Sequence, residues 1–121
     1  ITPTEYSKGL LESYGIQKKI YAVSNGVDTE FFKSENHEEE KKMLHEKYSI
    51  PAGRKIVVSA GHLIQRKGIL DFLELAKMMP DVTFIWFGGG NDSLVTQEVK
   101  EAVKNKSENV IFGGFVEASE L

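Results

Sequence analysis

The stretch Lys55–Gly68, KIVVSAGHLIQRKG, decides how the chain is read. Ile56, Val57 and Val58 make a short β-branched run in a buried strand predicted over Lys55–Ala60, which stops at Gly61. A polar, basic turn carrying His62, Arg66 and Lys67 follows, and from Gly68 a helical apolar period takes over. A strand, a donor-rich loop and a helix N-terminus form an anion-binding corner, because free backbone N–H groups and the positive helix end face the loop. Two cations beside that corner suit a phosphate or diphosphate better than a hydride carrier or a metal. The plainer alternative is a solvated βα loop with two incidental cations, since loops are generally polar.

Downstream, Ile69, Phe72, Leu73 and Ala76 fall at i, i+3, i+4 and i+7 of a helix predicted over Ile69–Met79, which Pro80 stops. A strand is predicted over Val82–Phe87 (VTFIWF), followed by Gly88-Gly89-Gly90. Asn91 or Asp92 then caps a helix to about Lys104, with Val95, Val99, Ala102 and Val103 inward. A third strand, Asn109–Phe112, ends at Gly113-Gly114, and Ala118–Leu121 reads as the start of another helix. Strand–helix–strand–helix–strand with continuous apolar strands predicts an α/β fold, a Rossmann-like parallel sheet covered on both faces. Right-handed crossovers then set Gly61, Gly88 and Gly113 along one edge, where open α/β sheets bind their ligands.

Upstream the pattern is less regular. Thr2-Pro3-Thr4-Glu5 reads as a capping box opening a helix with a Tyr6, Leu10, Tyr14 stripe that Gly15 terminates. Ile20–Val23 is a short strand candidate running into Ser24-Asn25-Gly26-Val27-Asp28, where Asn-Gly signals a turn. Glu35–Tyr48 is charge-dense and predicts a solvated helix whose Met43, Leu44 and Tyr48 touch the body, with Pro51-Ala52-Gly53 ending it.

Composition narrows the function classes. The 121 residues suffice for one domain with a core, and 15 basic against 18 acidic residues leave a net charge of −3. No global field therefore draws the chain to nucleic acid, and any anion site must be local. Cysteine is absent, which excludes disulfides and thiolate zinc sites and agrees with a cytoplasmic location. No apolar run approaches the roughly 20 residues of a membrane span. The chain starts at Ile1 rather than Met, as expected of a piece of something longer.

Other patterns carry less. Gly88-Gly89-Gly90 fails as a dinucleotide fingerprint, because Ser93 stands where the third glycine of G-x-G-x-x-G belongs. His37 and His45 are eight apart with Lys41 between them, so no H-E-x-x-H zinc motif exists, and no metal is expected. Glu30, Glu38 and Glu46 repeat a Glu-x7-Glu spacing by chance in an acidic stretch, and Trp86 is read as core.

Three stretches together resemble a known family. ITPTEYSKGLLESYG with AVSNGVDTEFF is similar to the interdomain junction of family 4 (group 1) glycosyltransferases of the GT-B fold. SAGHLIQRKGILDFLELAKMMPDVTFIWFGGG resembles the opening of their C-terminal donor-binding domain, where a G-R-L-x-x-x-K-G motif follows the first strand, and NVIFGGFVEASEL resembles a later F-x-G-x-V segment. Within the family the wording is most similar to bacterial diacylglycerol glucosyltransferases, which make membrane glycolipids. The likeness implies that residues 1–34 are an interdomain helix and hinge, with Asn25, Gly26 and Asp28 in the hinge turn. Residues 35–121 would be the first half of the nucleotide-sugar-binding domain.

The resemblance further implies a retaining sugar transfer from a nucleotide-diphosphate donor, UDP-glucose being expected, with no cofactor and no metal. Gly61, Lys67 and Gly68 fall on motif positions that hold the donor diphosphate. The motif arginine is His62 here, so either His62 or neighbouring Arg66 makes that contact. Phe115 and Val116 fall where the family borders the nucleobase. No catalytic residue is expected within the chain; the catalytic glutamates and the acceptor domain would lie outside it, and the piece alone is expected to be inactive. The acceptor is open, a lipid included, with peripheral association at the inner membrane face through an N-terminal domain. The competing expectation is a non-catalytic α/β nucleotide- or protein-binding module.

Overall fold

The Ile69, Phe72, Leu73, Ala76 period builds the helix it predicts. In the computed structural model, which describes residues 1–33, 36–89 and 94–117, these four side chains are the buried face of a helix over Ile69–Met78. That face packs on Phe84 and Trp86, with Phe72 edge-on to both rings at centroid distances of 5.2 and 5.1 Å. Burying each large apolar side chain contributes about 1.5–3 kcal/mol, so this seam is the main core.

The chain divides into two compact units, Ile1–His37 and Glu38–Leu121. In chain order its elements are α1 (Glu5–Ser13), α2 (His37–Lys47), β1 (Lys55–Ala60), a 3-10 turn (Gln65–Lys67), α3 (Ile69–Met78), β2 (Val82–Phe87), α4 (Gln97–Lys104) and β3 (Val110–Gly114). The three strands form one parallel sheet in the order β1-β2-β3. Strand β1 pairs with β2 without a break, Lys55 opposite Val82 through Ala60 opposite Phe87, whereas β3 slips by a residue between Trp86 and Phe87. Fold class and parallel sheet are as the sequence predicts.

Coverage on both faces holds for β2, buried at all six residues, and not for β1, where Val57 and Val58 are 38% and 49% exposed. A second cluster of Ile50, Ile85 and Phe87, with Tyr48, Ile56, Ile111 and Val116 against it, lies outside the α3 seam. Gly113 is inside β3 rather than after it, and a Cβ there would overlap the Phe87 ring. Asn109 precedes β3 and its Nδ2 donates to the carbonyls of Ala76, Met79 and Val82 at 2.9, 3.0 and 2.8 Å, tying β3 to α3 and β2.

Elsewhere boundaries shift for local reasons. Thr4, not Thr2, caps α1, its Oγ1 accepting from the Ser7 N–H at 3.0 Å. Thr2 is instead buried in an isolated parallel bridge to Ala22, which is all that forms of the expected Ile20–Val23 strand. Tyr6 and Tyr14 of the α1 stripe are exposed. No turn forms at Asn25-Gly26; the chain turns just after, where the Asp28 carboxylate accepts from the N–H groups of Glu30 and Phe31. Met43 points to water while Leu44 and Tyr48 are half-buried. Helix α4 starts late, with Thr96 as its cap; the Asn91 and Asp92 caps, Glu35 and the Ala118–Leu121 helix lie outside the described residues.

Candidate functional site

Parallel strands bring their C-terminal ends to one edge, and here the backbone binds those ends together. The Gly61 N–H donates to the Phe87 carbonyl at 2.9 Å, and the Gly88 N–H to the Gly114 carbonyl at 2.6 Å. Gly88 has φ 104°, and a Cβ on it would overlap the carbonyl oxygen of Gly61. Only glycine admits so close an approach of two strand ends.

From Gly61 the loop turns sharply. Ile64 N–H donates to the His62 carbonyl, and the 3-10 turn closes through Lys67 N–H to Ile64 and Gly68 N–H to Gln65, both at 2.9 Å. Gly68 sits in the left-handed region (φ 78°, ψ 21°), ending the turn and opening α3 at once. A residue with a Cβ would resist that conformation by about 1–2 kcal/mol. No side chain caps the N-terminus of α3, and Asp71 is the acidic residue of its first turn.

The predicted diphosphate residues are thus gathered in one corner. His62, Arg66 and Lys67 are exposed, and neither Arg66 nor Lys67 has a carboxylate partner among the described residues. The methylenes of Lys67 lie over Gly61, 3.6 Å from where a Cβ would stand. The His62 ring spans two strand ends, its Nδ1 3.1 Å from the Gly89 carbonyl. A carbonyl only accepts, so Nδ1 carries the proton in that contact. Across the edge Phe115 is 79% exposed while Val116 packs on the Ile50, Ile85, Phe87 cluster. Asn25, Gly26 and Asp28 belong to the other unit.

Trp86 holds more than the core role read from the sequence. Its indole is 1% exposed, and Nε1 donates to the Gly61 carbonyl at 3.0 Å. The signal was available, because a buried tryptophan N–H needs an acceptor and Trp86 is two residues from a strand-end glycine. A cavity of about 600 Å³ lies at the opposite edge, beside Arg54, Thr83, Ser107 and Asn109. Arg54 Nε and Ser107 Oγ lack partners there but have no accessible surface through which to meet a ligand. Among the described residues no cluster of three or more His, Asp or Glu could hold a metal, and no helix is long and apolar enough to cross a membrane.

No family model matches the chain. It is 39% identical over 120 residues to the processive diacylglycerol alpha-glucosyltransferase of Acholeplasma laidlawii, covering 98% of the chain and 36% of that protein. It is 44% identical over 64 residues to the alpha-galactosylglucosyldiacylglycerol synthase of Streptococcus pneumoniae, covering 50% of the chain and 17% of that protein. The crystal structure of Anabaena HepE in complex with UDP and glucose superposes with a TM-score of 0.74 at 22% identity, over 98% of the chain and 33% of HepE, which speaks for the fold. The chain is thus similar in sequence to a bacterial diacylglycerol glucosyltransferase, the likeness its three motif stretches imply, and spans about a third of the length of that relative.

Proposed function

We propose that the chain is the junction and the opening half of the donor-binding domain of a retaining glycosyltransferase that moves glucose from UDP-glucose to diacylglycerol in glycolipid synthesis. Residues 1–34 form the junction, with Asn25, Gly26 and Asp28 in its hinge, and residues 35–121 begin the donor domain. The observation that carries this reading is the strand-end corner: two exposed cations, Arg66 and Lys67, beside the uncapped N-terminus of α3. When the sugar leaves, negative charge builds on the terminal phosphate of UDP. Cations and a helix N-terminus at this edge stabilise that charge more than they stabilise the intact donor, which lowers the barrier.

Arg66 and Lys67 carry the diphosphate charge in this account, since the Nδ1–H of His62 is already given to Gly89. Gly61 and Gly68 let the loop close around the phosphates, and Phe115 and Val116 border the base. No metal or cofactor is required. The acceptor site and the catalytic glutamates belong to the parent protein outside these residues, as does the domain that would rest on the inner membrane face.

The test is transfer from UDP-glucose by the parent enzyme, with and without diacylglycerol vesicles. Lys67→Ala should cost at least about 2 kcal/mol of transition-state stabilisation, roughly 30-fold in kcat/KM. An unchanged rate would remove Lys67 from the mechanism. The 121 residues alone should transfer no sugar.

A further inference from the structure

Trp86 reaches the corner through a single bond, its Nε1–H to the Gly61 carbonyl at 3.0 Å. The indole itself is buried, 1% exposed, with Phe72 edge-on to it at 5.1 Å, so it is a fixed point. No peptide in the described chain is cis, and in a trans peptide the C=O and the following N–H point in opposite directions. Holding the Gly61 oxygen down on the indole therefore turns the N–H of His62 the other way, out of the core. That N–H has no backbone acceptor among the described residues, and His62 is exposed. The arrangement depends on Gly88, because a Cβ there would occupy the place of the Gly61 oxygen.

We propose that Trp86 is a positioning residue of the donor site: it aims the His62 backbone N–H at the terminal phosphate of the nucleoside diphosphate. The inference rests on the donor-site reading above and adds to it a neutral, directional donor beside the Lys67 charge. It also gives the corner a reason to accept histidine at this position. The main-chain N–H makes the contact, leaving the ring free to bridge to Gly89. A fixed N–H on an oxyanion is worth more than a mobile one because nothing must reorganise when charge develops.

The experiment is amide NMR on the ¹⁵N-labelled parent enzyme, titrated with UDP. The indole N–H signal of Trp86 is identified as the one that Trp86→Phe removes. The expected result is a slowly exchanging indole N–H and a downfield shift of the His62 amide, the largest in the 61–68 loop, as UDP is added. Trp86→Phe should abolish that His62 shift and weaken UDP binding about tenfold, the worth of one hydrogen bond to a charged group, with the amide pattern of β1, β2 and β3 retained. Should that variant fail to fold, Gly88→Ala keeps the indole and displaces its acceptor, and the same two losses are expected. If Lys67 and Gly68 shift with UDP but His62 does not, or if a folded Trp86→Phe binds UDP as the parent does, the positioning role is overturned while the donor site stands. If no loop amide of the parent enzyme responds to UDP, the donor-site reading falls and this inference with it.

Discussion

Strands β1 and β2 lie side by side in register, each six residues long, and meet opposite surroundings. All of β2 is buried, Trp86 and Phe84 under α3 and Ile85 and Phe87 in the second cluster on the other side. In β1, Val57 and Val58 retain 38% and 49% of their exposure, and Ala60 is exposed as well. A run of β-branched residues thus identifies a strand without fixing its place in the sheet. Place is decided by which neighbours cover it, and β1 has a paired strand on one side only among the described residues.

The contrast breaks most visibly at Phe84. Truncation by Phe84→Ala should cost about 3–5 kcal/mol, read as a shift of the urea midpoint followed by circular dichroism. A loss below about 1 kcal/mol, the size typical of ordinary substitutions, would deny β2 its central place. Gly113→Ala approaches the same strand from β3 and forces a methyl into the Phe87 ring, for an expected loss of about 1–3 kcal/mol from overpacking. A neutral outcome would mean that the ring has room to move. The smallest effect belongs to Val58→Thr on the open strand, within about 0.5 kcal/mol in the same assay. A loss matching that of Phe84→Ala would show that this surface is covered after all.

The sequence was most legible where periodicity and punctuation agree. Lys55–Ala60 and Val82–Phe87 are strands at the predicted residues, and α3 differs by one residue at its end. It was least legible where one local signal competed with a longer-range one. Thr2 looked like a helix cap, but its backbone is engaged by Tyr21 and Val23, so the cap moves to Thr4. Asn25-Gly26 has turn chemistry, yet the Asp28 carboxylate, able to collect two N–H groups, sets the bend. Asn109 reads as the first residue of a strand, and its three carbonyl partners, 27 to 33 residues back, have no local signature.

The corner divides in the same way. Gly61, Arg66, Lys67 and Gly68 announce themselves by spacing, because loop, cations and helix start are contiguous in the chain. The contributions of Gly88, Gly89 and Trp86 arise from pairing between β1 and β2, which spacing along one strand cannot reveal. The placement of the His62 ring is likewise set by the Gly89 carbonyl it faces across the edge, which no local signal reveals.

Because Trp86 is the one tryptophan of these 121 residues and is hydrogen-bonded to the strand-end corner, the chain carries its own fluorophore there. The Gly61 peptide dipole lies against that ring and contributes to the field that tunes its emission. An occupant that moves the Gly61 carbonyl is therefore expected to shift the Trp86 emission, with no dye attached and no second tryptophan among these residues.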